Sequence, residues 1–157
     1  MSGFRRGVRL GVDVGTARVG VARCDRDGLL AVPVETVPRT EAAVARVSAL
    51  AAEHEAFEIL VGLPVSLSGG ETASTADARA FAHELLEATG LPIRMVDERL
   101  STVSAHAALR DAGRSQRSSR RIVDQVAAVV LLQQAVDVEK STGSPAGVLL
   151  PGSQELI

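Results

Sequence analysis

The sequence is poor in aromatic residues and cysteine. It contains no Trp or Tyr and only three Phe among 157 residues. Proteins that bind single strands by stacking their bases need several aromatic side chains on an exposed sheet, so this chain cannot form such a platform. The single cysteine, Cys24, excludes an internal disulfide framework and any zinc site built from several cysteines.

Long apolar runs are also missing. The first residues, MSGFRRGVRLGVDVG, lack the apolar core of a signal peptide, and no apolar run approaches the ~18 residues that a membrane span requires. We therefore expect a soluble, cytoplasmic protein that does not enter a membrane.

The remaining composition is typical of a globular domain. Hydrophobic residues make up 46% of the chain, and 19 acidic against 17 basic side chains give a net charge of −2. All the basic residues are Arg except Lys140. A chain of this length buries roughly 70% of the surface that it exposes when unfolded, which is enough for a stable core. We predict one domain over residues 1–139 and a flexible tail over residues 140–157, where Gly, Ser and Pro increase and periodicity disappears.

Hydrophobic periodicity and turn signals predict nine elements in the order β-β-β-α-β-α-β-α-α. The predicted strands are Val8–Val14, Arg18–Cys24, Leu29–Val37, Glu58–Gly62 and Ile93–Val96. The predicted helices are Thr40–His54, Thr72–Thr89, Ser101–Gly113 and Ser119–Val138. This order predicts a mixed sheet covered by helices.

Asp13 is the first candidate site residue. It lies in the segment GVDVGTARVG, and a carboxylate in an apolar strand is costly to bury unless it is paired or bound to a metal. Gly11, Gly15 and Gly20 leave the backbone around it uncrowded. Neither the Rossmann spacing nor the P-loop ending is present. The structural alternative is that Asp13 ends a strand and caps the following turn through Thr16.

Asp97 and Glu98 form the second candidate. They leave the end of a predicted apolar strand, where α/β sheets usually place their sites. Neighbouring side chains in a strand point to opposite faces, so one of the two is expected to point into a shared site. The structural alternative is a solvated strand end paired with Arg94 or Arg99.

Asp124 is the third candidate and lies near the start of the last predicted helix. It is adjacent to an apolar stripe formed by two rows, Ile122, Val126 and Val130 with Val123, Ala127 and Leu131, and could therefore point toward the sheet. The structural alternative is an ion pair with Arg120 plus a favourable interaction with the helix N-terminus, worth a few tenths of a kcal/mol.

The fourth candidate is a basic segment. Residues 110–121 hold five Arg and one acid, a local charge of +4 in a chain of net charge −2. Such a run is usually a solvated surface, but Arg, Ser and backbone amides are also the usual groups that contact phosphates. The segment directly precedes Asp124, which favours a local phosphate site over broad nucleic-acid binding.

Three separated carboxylates, on a first strand, a later strand and a final helix, suit a phosphodiesterase that uses two metal ions. The sequence also resembles the YqgF family, called RuvX, whose members are described as Holliday junction resolvases or pre-16S rRNA nucleases. The resemblance covers about residues 8–137. It rests on four ordered motifs: VDVGTARVGVA, VGLPVSLSGGET followed by RAFA, VDERLSTVSAHAALRDAG, and VDQVAAVVLLQ.

The resemblance implies an α/β, RNase H-like fold with a five-stranded mixed sheet and helices on both faces. It implies that Asp13, Glu98 and Asp124 are the catalytic acids and hold Mg²⁺ or Mn²⁺. It also implies a set of arginines that contact phosphates, namely Arg99, Arg114, Arg117, Arg120 and Arg121.

The function implied is that of a metal-dependent endonuclease, a hydrolase that cleaves structured nucleic acid, with the 5′ end of the 16S rRNA precursor favoured. The partner is then pre-16S rRNA or a pre-ribosomal particle, bound by a monomer or homodimer. Two alternatives stay open: a Holliday junction resolvase-like DNA nuclease, which requires a dimer, and a non-catalytic RNA-binding assembly factor. Actin-like ATPases and sugar kinases have a related first phosphate loop, but they need two lobes, and this chain is long enough for one.

Overall fold

The computed structural model describes residues 3–66, 68–97 and 116–153, with side chains described from residue 125 onward in the last helix. The strands are β1 Arg9–Val14, β2 Arg18–Cys24, β3 Ala31–Pro38, β4 Glu58–Leu63, β5 Ile93–Asp97 and β6 Val148–Leu149. The helices in these ranges are α1 Ala43–Glu53, α2 Ala73–Thr89 and α3 Gln116–Thr142. The predicted helix Ser101–Gly113 lies outside the described residues. Within the described ranges, no helix has the length and apolarity that crossing a bilayer requires.

The described strands form one mixed sheet in the order β3-β2-β1-β4-β5-β6. The pairs β1–β2 and β2–β3 are antiparallel, β1–β4 and β4–β5 are parallel, and β5–β6 is antiparallel. The predicted α/β class with a mixed sheet is confirmed, and the described sheet has one strand more than the five expected. Because β1, β4 and β5 run in the same direction, their carboxyl ends meet at one edge of the sheet.

The helices cover opposite faces of the sheet. One core contains side chains of α1 and α2 packed against Leu10 and Val12 of β1. A second core contains Ala128 and Leu132 of α3 packed against the other face. Gly11 faces α3 so closely that a Cβ atom there would lie 2.8 Å from the Leu132 Cβ. The alternation along β1 therefore directs odd-numbered residues toward α3.

Local capping sets the ends of α2 where the sequence predicts them. The Thr72 and Thr75 side chains form a reciprocal capping box, and Gly90 ends the helix with φ of 70°. The start of α1 is different, because Thr40 accepts the Ala42 N–H at 3.1 Å in a turn that precedes the helix. The helix therefore begins at Ala43 instead of Thr40.

The third strand also begins later than predicted, at Ala31 instead of Leu29. The Asp25 carboxylate accepts the backbone N–H groups of both Leu29 and Leu30 at 2.8 Å. These bonds hold the two residues in the turn, and their side chains are exposed. Hydrogen bonds from backbone N–H groups, the Leu30 N–H foremost, keep the pKa of Asp25 below its ordinary value.

The segment after residue 139, expected to be a tail, contains regular structure in its described part. The last helix continues to Thr142, and β6 pairs with β5 through Leu149 opposite Arg94. Leu150 is 2% exposed and belongs to the first core. The Ser153 hydroxyl accepts the Ile93 N–H at 3.1 Å. Residues 154–157 lie outside the described residues.

A cluster of buried and half-buried charges lies at the end of β1 opposite to Asp13. We call it the ionic cluster, and its members are Arg5, Arg9, Glu58, Arg94 and Glu139. Glu58 accepts from Arg5 at 3.0 and 3.1 Å and from Arg94 at 3.0 Å, while Glu139 accepts from Arg9 at 3.0 Å. Arg9 and Glu58 are each 1% exposed. The cluster joins β1, β4, β5 and the end of α3, so it fixes the direction of α3 across the sheet.

Candidate nucleic-acid site

Asp13 lies near the carboxyl end of β1, at the edge where the parallel strands end. Its backbone pairs with Gly20 of β2, and its side chain is half-buried. Asp13 is two residues after Gly11, and alternation therefore places it on the face covered by α3. The strand thus presents a carboxylate beneath α3.

The register of the sheet relates Asp13 to a residue of α3. Asp13 pairs with Gly20, and Gly20 pairs with Thr36 of β3, so the three form one row across the sheet. The Gln125 side chain of α3 donates from Nε2 to Thr36 Oγ1 at 2.6 Å. Gln125 therefore lies at the same level along the strands as Asp13.

The contact between β1 and α3 also relates Asp13 to position 124 of α3. Ala128 and Leu132, one helical turn apart, are the residues of α3 that approach Gly11. Position 124 is one turn before Ala128 in this row, because residues four apart share a helix face. Since Glu139 contacts Arg9 while Ala128 approaches Gly11, α3 runs antiparallel to β1, and going back along the helix leads toward Asp13.

An arginine fixes the turn that follows Asp13. Arg39 Nη1 donates to the Gly15 carbonyl oxygen at 2.9 Å, and the guanidinium makes a two-pronged ion pair with Asp77 of α2 at 2.9 and 2.8 Å. Its Cζ also lies 5.0 Å from the centre of the Phe81 ring. Hydrogen bonds from Arg39 lower the pKa of Asp77 below its ordinary value, so the pair stays ionised at neutral pH. The turn is thereby anchored to α2.

The loop after β4 lies at the same edge. The Ser66 hydroxyl accepts the Gly70 N–H at 3.0 Å, and Val65 pairs with Glu71 in an isolated bridge. The Thr75 hydroxyl donates to the Pro64 carbonyl oxygen, which attaches the loop to the first turn of α2. The carboxyl ends of β1 and β4 are therefore both held by contacts with α2.

The other predicted site residues are placed as follows. Asp97 ends β5 and is exposed. Arg94, considered as its partner, belongs to the ionic cluster and donates to Glu58. Glu98, Arg99 and Arg114 lie outside the described residues. Four further positions belong to the backbone of α3, while their side chains lie outside the described residues: Arg117, Arg120, Arg121 and Asp124.

Three residues at this edge were not singled out by the sequence analysis: Thr36, Arg39 and Gln125. Gln125 directly follows Asp124, and that adjacency was a usable signal. Thr36 and Arg39 carry no local signal, because their proximity to Asp13 depends on strand pairing and on a contact across the domain. Among the residues described, no group of three His, Cys, Asp or Glu side chains is arranged to hold a metal ion.

The fold is RNase H-like. A similar solved structure is RuvC of Thermus thermophilus in complex with a Holliday junction substrate, with a TM-score of 0.54 and 17% sequence identity. The likeness covers 88% of this chain and 99% of that chain.

The chain belongs to the RuvX family. The family model, described as "Holliday junction resolvase", matches residues 7–138. A relative from Clavibacter michiganensis subsp. michiganensis is 55% identical over 151 residues, covering 94% of each chain. One from Leifsonia xyli subsp. xyli is 54% identical over 146 residues, covering 92% of this chain and 94% of that protein. Both relatives carry the name "Putative pre-16S rRNA nuclease".

Proposed function

We propose that this protein is a metal-dependent endonuclease that hydrolyses phosphodiester bonds at the 5′ end of the 16S rRNA precursor. The observation that carries the proposal is the position of Asp13 beneath α3, in one register row with Thr36 and level with Gln125. The names of the curated relatives support the choice of RNA over branched DNA. The reaction belongs to ribosome biogenesis and takes place in the cytoplasm.

The proposed metal ligands are Asp13, Glu98 and Asp124. Carboxylate oxygens are the ligands that Mg²⁺ and Mn²⁺ prefer. The described part of the site fits such an ion, because Asp13 is a half-buried carboxylate and position 124 is one turn before the residues that contact β1. Metal ions bound there would activate the attacking water and stabilise the leaving oxygen.

The chain's own groups bind and orient the substrate in this proposal. Arg99, Arg114, Arg117, Arg120 and Arg121 contact phosphates, since a guanidinium offers two parallel donors to a phosphate. Arg39 acts indirectly: by holding the Gly15 carbonyl it keeps the end of β1, and with it Asp13, in position. The acids thus hold the ions while the arginines fix the phosphate backbone.

The test is cleavage of an RNA with the 5′ end of the 16S precursor and of a four-way DNA junction, in parallel, with Mg²⁺ or with EDTA. We expect cleavage of the RNA that requires Mg²⁺ and falls at least about 100-fold in Asp13→Asn, because metal stabilisation of a transition state is worth several kcal/mol. Asp27→Asn is the matched control, since Asp27 lies in an exposed turn where it pairs with Arg6.

The other outcomes select the alternatives. Cleavage of the junction instead of the RNA, by a dimer, favours the activity that the family description states. Tight RNA binding without cleavage by the wild type contradicts the nuclease proposal and favours an assembly factor.

A further inference from the structure

A depression of about 440 Å³ lies beside the row formed by Asp13, Gly20 and Thr36, on the side of β3. It is lined by Arg18, Val34, Glu35, Thr36, Pro38 and Gln125. Thr36 and Gln125 are half-buried and contribute polar groups to its wall. Two strand spacings separate β1 from β3, which places Thr36 roughly 10 Å from Asp13. A short stretch of one nucleic-acid strand covers that distance.

The hydrogen bond between Gln125 and Thr36 leaves one donor and one acceptor of these two side chains available to a ligand. Thr36 Oγ1 accepts from the amide of Gln125, so its own O–H remains to donate, and Gln125 Oε1 remains to accept. The structure gives neither group a second hydrogen-bond partner among the described residues. An amide–hydroxyl pair keeps one donor and one acceptor whichever way the amide is oriented. The pair therefore matches a group that both donates and accepts.

The charge of the depression suits a nucleic-acid strand. The Glu35 carboxylate is bound by Arg46 at 2.6 and 2.9 Å, and these hydrogen bonds hold the pKa of Glu35 below its ordinary value. Its negative charge is balanced within the protein, so it repels a phosphate group less. Val34 and Pro38 add apolar surface against which a sugar can pack.

We infer that Gln125 and Thr36 bind the 2′-hydroxyl of a ribose near the cleaved bond and so make the site selective for RNA. The 2′-hydroxyl is a donor and an acceptor, and it is the group by which a protein distinguishes RNA from DNA at one position. The inference rests on the proposed function, since it assumes that the substrate strand passes over Asp13.

The test measures binding and not cleavage. A hairpin RNA from the 5′ end of the 16S precursor and the DNA hairpin of the same sequence are titrated by fluorescence anisotropy, with Ca²⁺ in place of Mg²⁺. We expect Gln125→Leu and Thr36→Val each to weaken RNA binding about 3- to 10-fold, the range for one lost hydrogen bond, and to change DNA binding less than about 2-fold.

Two control variants separate this role from a structural one. Thr36→Ser keeps the hydroxyl and should retain the RNA preference. Gln134→Leu makes the same change at an exposed position of α3, about two and a half turns further along the helix, and should leave both affinities unchanged. Equal losses on RNA and DNA in Gln125→Leu and Thr36→Val would overturn the inference. So would a wild type that binds RNA no better than DNA or binds neither.

The binding assay and the cleavage assay fail independently. A protein that prefers RNA through Gln125 but cleaves nothing keeps the 2′-hydroxyl contact and its selectivity for RNA, and loses the nuclease proposal. A protein that cleaves with metal but shows no RNA preference keeps the nuclease proposal and loses this inference.

Discussion

Glu139 shows how a single buried carboxylate is kept ionised. Burial on its own would raise the pKa of Glu139, but hydrogen bonds from Arg5 and the charges of Arg9 and Arg5 outweigh it and lower the pKa below its ordinary value. The folded state therefore binds the proton less readily than the unfolded chain does. The resulting stabilisation is complete above the ordinary glutamate pKa of about 4.5 and is lost as the pH falls through the lower pKa of the folded state.

We predict that Glu139→Gln lowers the free energy of unfolding at neutral pH by about 3 kcal/mol, because Arg5 and Arg9 lose a charged partner. The difference from the wild type should shrink as the pH falls below about 4.5 and through the lower pKa of the folded carboxylate, where the wild type takes up its proton. Urea denaturation across this pH range measures both effects. Glu87→Gln, at an exposed position of α2, is the control and should change stability by less than about 0.5 kcal/mol. A difference in unfolding free energy that stays constant with pH would contradict the lowered pKa of Glu139 in the folded state.

Between elements, the spacing of β1 and α3 depends on Gly11. A Cβ atom there would lie 2.8 Å from Leu132 Cβ and 3.0 Å from the Ala128 carbonyl oxygen, and the second of these atoms belongs to the backbone. We predict that Gly11→Ala destabilises the protein by about 1–3 kcal/mol, the usual cost of overpacking. It should also reduce metal-dependent cleavage, because pushing α3 away separates position 124 from Asp13.

The control for this prediction is Gly3→Ala, since a Cβ atom at Gly3 would have no neighbour within 4 Å. Thermal unfolding and the cleavage assay are measured on both variants. An unchanged melting temperature in Gly11→Ala would show that the packing of α3 against β1 does not require a glycine at this position. Full cleavage activity despite destabilisation would show that the activity does not depend on the spacing.

The elements that the sequence predicts well are those with local signals. Helix α2 is predicted almost to the residue because Thr72 and Gly90 mark its ends by their own chemistry. Strand β6 could not be predicted, because its two residues gain their structure by pairing with β5, and Leu150 is buried only in the assembled domain. Glu58 gave no signal either, since its partners Arg5, Arg9 and Arg94 come from two other parts of the chain, both distant in sequence.

For the whole molecule, the candidate site is predictable only in part. Asp13 is recognisable because a carboxylate stands out in an apolar strand, and Asp124 because it adjoins an apolar stripe. The buried stripe itself lies on Ala127, Ala128, Leu131 and Leu132, with Val126 and Val130 half-buried. The row from Asp13 to Thr36 depends on the register of three strands, which a single sequence does not specify.

The distribution of charge leads to the last prediction. The chain has a net charge of −2, so its overall field does not attract nucleic acid, and binding has to come from the local charge of +4 over residues 110–121. We predict that replacing Arg117, Arg120 and Arg121 together with Gln weakens RNA binding and makes it less dependent on salt. The slope of log affinity against log salt concentration should become less steep by roughly 3, about one for each lost phosphate contact.

The matched control removes the same charge elsewhere. Arg6, Arg26 and Lys140 are exposed and lie near the end of β1 opposite to Asp13, and replacing all three with Gln lowers the net charge equally. If the general field governed binding, both triple variants would lose affinity alike at low salt. If residues 110–121 contact phosphates, only the first variant changes the slope, because counterion release depends on the phosphates that are contacted and not on net charge. An unchanged slope in the first variant would remove these three arginines from the phosphate path.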